Sequence, residues 1–315
     1  MDPSVSVVIP NFNGRKLLEE NLPSVVAALR HSGCAHEIIV ADDASADDSV
    51  GFLQKAYPGV QVVVSDSNGG FAKNVNRGIS RAKMDLVLIL NSDVKLREGY
   101  FEPQLRYFQK QDTFGVMGGI YDADGKLIDS AKYPAWKGPR LRSTVNFTLE
   151  DAPADTWCTT LFLSGANALV DRKKLIALGG FDEIYSPFYM EDVDLSVRAW
   201  RKGWACYYEP QARCTHVLSS TISALGRDHV KRIAKRNRHI FHYLHLSGFR
   251  RFLWKTQQTG GLLLRWLALD AAYYRSYMDY RKAVRNRKPL KERFSLAEVT
   301  ARVLEPVKAY GKRLF

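Results

Sequence analysis

The chain has 315 residues, is 46% hydrophobic and carries a formal net charge of +13. That length and composition fit one large α/β domain with an extension, or two small soluble domains. Its four cysteines (Cys34, Cys158, Cys206, Cys214) lack CxxC spacing, which argues against a zinc ribbon or a disulfide framework.

Residues 4–9 form a β-branched run that begins too soon after the N-terminus to follow a secretory signal. An amphipathic helix is predicted over 16–30, a strand over 37–41 and a helix over 49–57. A strand over 61–64, a helix over 70–82 and a strand over 86–90 follow. This βαβαβαβ order implies a mostly parallel sheet with helices on both faces. Residues 114–120 and 126–129 read as a hairpin around Asp122-Ala123-Asp124-Gly125. The polar, proline-containing stretch 133–156 reads as a mobile loop. Strand character resumes at 161–163 and 166–170, then a short helix at 172–178 closes on Gly179-Gly180. A helix over 193–202 precedes a strand over 205–208.

Beyond residue 221 the pattern becomes helical, over 229–246 and 260–285. No uninterrupted apolar run reaches the roughly 18 residues of a membrane span. The best candidate, 260–274, is broken by Arg265 and Asp270. Residues 227–315 hold 22 Lys+Arg and 6 Asp+Glu, a net of +16, whereas residues 1–226 net −3. A division is therefore expected between a body, 1–226, and a basic helical extension, 227–315. Such an extension points to an anionic partner.

The chemistry-bearing residues follow strands. Asn91-Ser92-Asp93 ends the apolar run 86–90, and Asp42-Asp43 ends the second strand. Strand C-terminal ends share one edge of a parallel sheet, so these carboxylates converge where ligands bind. A hard oxygen at Asp93 suits Mg²⁺ or Mn²⁺, and such a metal suits a diphosphate. Asp42 and Asp43 would accept hydrogen bonds from a base N–H or a ribose hydroxyl, or else cap the next helix with Ser45. In the loop 68–74, Gly70 lets backbone approach an anion and Lys73 would neutralise a phosphate. No GxGxxG follows the first strand and no GxxxxGK[ST] exists, against a dinucleotide dehydrogenase and a P-loop NTPase. Glu191-Asp192-Val193-Asp194 packs three carboxylates into four positions, which is costly unless they are solvated or matched to a cation. Asp192 is either a helix cap or a general base for an acceptor hydroxyl. His216 would add a nitrogen ligand to a metal on Asp93. His239, His242 and His245, three apart on one helix, read as a basic interfacial face rather than a metal site.

Together these elements resemble the inverting family 2 glycosyltransferases of GT-A fold, in particular the rhamnosyltransferase-like bacterial members. The residues that carry the resemblance are Val7-Val8-Ile9-Pro10-Asn11-Phe12-Asn13, Ile38 through Ser45, Asn68 through Gly78, and Glu191-Asp192-Val193-Asp194-Leu195 with Arg198 after it. The family's DxD is matched only in its last residue, as Asn91-Ser92-Asp93. The departure touches a contact usually made to ribose, or to metal through water, and leaves the direct metal ligand. His216 lies where the family often has a metal-binding His.

The resemblance implies a GT-A domain and a nucleoside-diphosphate-sugar donor, dTDP-rhamnose or a UDP-sugar. Base and ribose would lie near Pro10, Asn11, Asn13, Asp42 and Asp43, with Gly70, Lys73, Asn91 and Ser92 completing the donor site. A Mg²⁺ or Mn²⁺ ion would sit on Asp93 with His216. Asp192, with Glu191 as the alternative, would take the acceptor proton in a single inverting displacement. The acceptor implied is a glycan or a polyprenyl-linked sugar of a bacterial cell-surface polysaccharide. The expected location is cytoplasmic, peripheral on the inner membrane face, with the basic extension against anionic lipid and a homo-oligomer left open. Two rival readings are a nucleic-acid-binding protein, suggested by aromatics interleaved with the basic residues, and an inactive GT-A scaffold, disfavoured by intact Asp93, Asp192 and His216.

Overall fold

A computed structural model describes residues 3–144, 157–216, 226–267 and 270–310. Alternating apolar side chains build its centre. In β1 (Val5–Asn11), Val5, Val7 and Ile9 face one apolar layer and Val8 the other, as the two-residue period of a strand requires. The first layer is filled by α1 (Arg15–Ser32) through Leu18, Leu22, Val25 and Leu29. The second is filled by α3 (Phe71–Ile79) through Ala72, Val75 and Ile79. With β2 (His36–Asp42), α2 (Ser49–Ala56), β3 (Gln61–Val64) and β4 (Leu86–Leu90), these elements give four parallel strands in the order β4-β1-β2-β3.

Beyond β4 the sheet becomes mixed. After β5 (Val94–Leu96), short helical turns, among them α4 (Glu102–Leu105), lead to β6 (Thr113–Tyr121) and β7 (Leu127–Asp129). Hairpin β8 (Pro134–Lys137) and β9 (Arg140–Ser143) stands as a separate two-stranded sheet. The main sheet is completed by β10 (Cys158–Thr159), β11 (Asn167–Asp171) and β12 (Ala205–His216), in the order β10-β12-β6-β11-β4-β1-β2-β3. Strand β11 runs antiparallel to both neighbours, and β12 runs parallel to β6. Helices α5 (Arg172–Ala177) and α6 (Glu191–Lys202) lie between β11 and β12.

The predicted elements of the first 90 residues match within three residues at their ends. Four expectations need correction. Residues 161–163 are not a strand: Leu161 and Leu163 are buried in the core without a ladder, and a three-residue apolar run reads alike in either case. The stretch 133–156 is not simply a loop, because β8 and β9 order its first part; residues 145–156 lie outside the described residues. Strand β12 continues past 208 because a bulge between Glu209 and Arg213 accommodates Pro210. The helix expected over 260–285 is two, α8 (Gly248–Leu267) and α9 (Ala271–Ala283), the second capped by Asp270, which accepts from the Tyr273 amide at 2.9 Å.

The basic extension shares the body's core. Ile240, Phe241 and Leu244 of α7 (Arg227–His245) and Val299 and Val303 of α10 (Leu296–Tyr310) join the apolar cluster of Val197 and Trp200. The three histidines of α7 are not a basic face. All are buried, and burial pushes His239 and His242 down to about 4 and also lowers His245, so each is neutral near pH 7.

Candidate active site

The C-terminal ends of β1 and β2 form a rim tied by short polar bonds. Buried Asp42 accepts from the Ser45 amide and hydroxyl at 2.9 and 2.6 Å and from Asn11 Nδ2 at 2.8 Å. It closes a turn on Ser45 and does not cap α2, whose N-cap is Asp48. Buried Asp43 accepts from the Gly69 and Gly70 amides at about 3.0 Å, with the Arg77 guanidinium 3.8 Å away. Asn13, at φ +52°, accepts from the Ala46 amide at 2.8 Å. Pro10 sits half-buried between them. These residues thus build the rim's shape as well as lining it. Lys73 is exposed, and its stem folds back over Gly69. Gly70 has φ +80°, and a Cβ there would stand 3.2 Å from the Pro187 backbone. That contact brings the loop before α3 against the loop before α6.

Residues 91–93 leave β4 at the same rim. The Asn91 amide donates to the Ala166 carbonyl at 3.1 Å, and the Ser92 carbonyl accepts from Asn21 Nδ2 at 3.1 Å. The Asn91 and Ser92 side chains are half-exposed and Asp93 is buried. Pairing of β5 with β12 places His216 opposite Val94, so His216 Nε2 lies 3.0 Å from Asp93 Oδ1. Two cis ligands of one octahedral ion, each bound at about 2.1 Å, stand about 3 Å apart. One carboxylate and one imidazole are a donor set that fits Mn²⁺ or Mg²⁺. Among the described residues no group of three or more metal-ligating side chains occurs, so oxygens of a diphosphate and of water would fill the other positions.

Across the rim, α6 opens with the acidic segment. Tyr189 and Met190 have φ of +73° and +79° just before Glu191, a costly conformation that surrounding contacts must hold. Burial pushes Asp192 up to about 6, against hydrogen bonds from the Val193 and Gly165 amides, and the charge of Asp129 on β7 raises it further. Burial and the Asp192 charge push Glu191 up to about 8, and its Oε2 is buried with no hydrogen-bond partner among the described residues. A carboxylate with a pKa close to neutral is suited to take a proton at working pH. Asp129, paired with Lys132 at 2.5 Å, sits in the predicted hairpin and nothing in its spacing marks it for this role.

Asp194, two residues past Asp192, is ionised. Its carboxylate accepts from Arg198 Nε at 2.7 Å, His245 Nε2 at 2.7 Å and the Tyr185 hydroxyl at 2.9 Å. Burial works to raise it, but Arg198 and His245 hold it below the usual carboxylate range. Neutral His245 donates from Nε2 to Asp194 and accepts at Nδ1 from Arg201 at 3.2 Å. Nearby, buried Asn237 of α7 donates its amide to the carbonyls of Tyr185, Phe188 and Tyr189 at 2.6, 2.9 and 2.8 Å. Arg236 donates to the Ser186 carbonyl. These clamps come from the basic extension, where only an Asn between Arg236 and Arg238 hints at them.

A family model described as glycosyl transferase family 2 matches residues 6–179. Over 275 residues the chain is 28% identical to N-acetylglucosaminyl-diphospho-decaprenol L-rhamnosyltransferase of Mycobacterium tuberculosis, covering 79% of this chain and 84% of that one. It is 33% identical over 234 residues to a putative teichuronic acid biosynthesis glycosyltransferase of Bacillus subtilis, covering 66% of this chain and 88% of that one. Two solved structures share the fold at 17% identity. A mannosyltransferase from Pyrobaculum calidifontis in complex with GDP-Man and Mn²⁺ aligns with a TM-score of 0.55, over 99% of this chain and 82% of that one. GalNAc-T7 with UDP, GalNAc and Mn²⁺ aligns at 0.56, over 76% of this chain and half of that one.

Proposed function

The chain belongs to glycosyl transferase family 2, and from that premise we propose that it moves a sugar from dTDP-rhamnose or a UDP-sugar to a hydroxyl of a polyprenyl-linked glycan. The observation that carries this reading is the 3.0 Å pairing of Asp93 with His216 at the rim. Two residues distant in sequence meet there at the spacing that two ligands of one ion require. The names of the Mycobacterium and Bacillus relatives support a lipid-linked acceptor and a cell-surface polysaccharide, and such an acceptor would hold the enzyme at the inner membrane face.

Asp93 and His216 would hold Mg²⁺ or Mn²⁺, which would neutralise charge building on the leaving diphosphate. The rim made by Pro10, Asn11, Asn13, Asp42 and Asp43 would seat base and ribose, Asn91 and Ser92 would flank the ribose, and Gly70 and Lys73 would face phosphate. Asp192 takes the proton from the acceptor hydroxyl as that oxygen attacks the anomeric carbon. The bond to diphosphate breaks on the opposite side, so configuration inverts. Glu191, protonated to higher pH than Asp192, leaves Asp192 as the ionised base. Of the aromatics behind the nucleic-acid reading, Trp254 and Tyr273 are buried, which leaves Phe249 and Phe252 on α8 as the exposed pair.

The test is a screen of dTDP- and UDP-sugars for transfer to a polyprenyl-diphosphate-linked acceptor, with Mn²⁺ or Mg²⁺ and with EDTA. Cation-dependent transfer from at least one donor is expected. Absence of both transfer and donor hydrolysis across the screen overturns the proposal.

A further inference from the structure

Helix α8 turns its apolar side to water. Phe249, Phe252, Leu253, Leu263 and Leu264 stand at the spacing of a single helical face. Such a stripe ordinarily faces a core, yet here Phe249 is 72% exposed, Phe252 62%, Leu263 67% and Leu264 70%. The stripe runs for about 22 Å at 1.5 Å per residue.

The helix cannot roll this face inward, because its other side is fixed. Trp254 is buried against the rings of His239, His242 and Tyr280. Arg250 stacks on Trp136 at 3.8 Å, Tyr273 donates to Gln258 at 3.1 Å, and Tyr274 donates to the Leu262 carbonyl. Phe249 and Phe252 stack on each other with ring centroids 6.3 Å apart. Large apolar side chains held together in water mark an interaction surface.

Charge identifies the partner. Residues 248–267 contain Arg250, Arg251, Lys255 and Arg265 and no acidic residue, within an extension of net +16. A second copy would bring like charge onto like charge, whereas an anionic lipid surface is complementary in both charge and apolarity. No described helix is long and apolar enough to cross a membrane, so α8 would lie in the interface. We propose that the exposed stripe of α8 inserts into an anionic lipid surface, with exposed Lys255 and the extension's surplus positive charge drawn to the headgroups. The purpose, presenting the enzyme to a lipid-linked acceptor, rests on the proposed function, but the observations on α8 do not.

The experiment is flotation of the full chain with vesicles of equal parts phosphatidylglycerol and phosphatidylcholine, and with phosphatidylcholine alone. The variants are Phe249→Ser with Phe252→Ser, and Leu263→Ser with Leu264→Ser. Light scattering reports oligomeric state, and calorimetry with UDP or dTDP and Mn²⁺ reports the donor site. The full chain should float with the anionic vesicles at about 50 mM salt, and less so at about 500 mM, where charge is screened within a few Å. Each double variant should float about tenfold less well with unchanged melting temperature and nucleotide affinity. Two results overturn the proposal. One is flotation that the double variants retain in full. The other is a chain that stays off anionic vesicles, including the case of a dimer that the variants split. Loss of nucleotide binding in a chain that still floats would sink the proposed function and leave this docking surface standing.

Discussion

The two sides of the rim hold their carboxylates in opposite ways. On the β1–β2 side, Asp42 and Asp43 are buried but saturated by neighbouring backbone amides, Ser45 and Asn11. On the α6 side, Asp194 takes the cationic and neutral donors of Arg198, His245 and Tyr185, while buried Glu191 and half-buried Asp192 adjoin, with the charge of Asp129 acting on Asp192. One helix thus carries, two residues apart, a carboxylate held ionised and one pushed up towards neutral pH. The lesson is that burial alone does not make a base: the partners within reach decide which carboxylate stays ionised and which is held near neutrality.

Removing the anchor should have the largest effect. Asp194→Ala leaves Arg198 and His245 buried without their carboxylate, a change of about 3–5 kcal/mol in stability, read as a lower denaturant midpoint. A comparable loss from Asp42→Ala would erase the contrast drawn here, since that turn is worth only about 1–3 kcal/mol. Asp192→Asn should lose transfer by about a hundredfold or more while nucleotide affinity with Mn²⁺ holds. Transfer near the wild-type rate would move the base to Glu191. Asn237→Ala, which frees the loop 185–189, should lower kcat about tenfold with the donor KM unchanged. Its acidic limb should shift to lower pH as Asp192 hydrates, a shift that simple destabilisation would not produce.

The smallest effect is on pH dependence. Transfer should rise as pH passes about 6, where Asp192 ionises. Stability carries opposite signs on the two elements. The Asp192 carboxyl binds its proton more tightly folded than unfolded, so its contribution is lost as pH rises through about 6. His239 and His242 bind protons less readily folded, so their contribution is lost as pH falls from the ordinary 6.5 towards 4. Replacing Asp192 with Asn should therefore remove its share of the fall in stability between about pH 4 and pH 6; an unchanged slope in that window would mean that Asp192 is not held near neutrality.

The same contrast explains what could be read without coordinates. Strand 61–64 and strand 86–90 are local apolar runs with polar flanks, and the carboxylates after the second and fourth strands are placed by topology alone. Asp93 was legible for that reason. His216 was legible only as a candidate, because its meeting with Asp93 depends on β12 running on past Pro210. Asn237 and His245 were not legible as clamps. Their partners lie about fifty residues away, and three-residue spacing of histidines looks the same whether the face is wet or buried. The exposed side of α8 was hidden likewise, since helical period marks an apolar face but not which way it points.

The most direct test of the account is calorimetric titration of the full chain with UDP and dTDP, in Mn²⁺ and in EDTA, for the wild type and Asp93→Ala. A divalent ion shared by Asp93, His216 and a diphosphate predicts binding of at least one nucleotide that EDTA abolishes and that Asp93→Ala weakens about tenfold or more. Equal affinity with and without EDTA would contradict it.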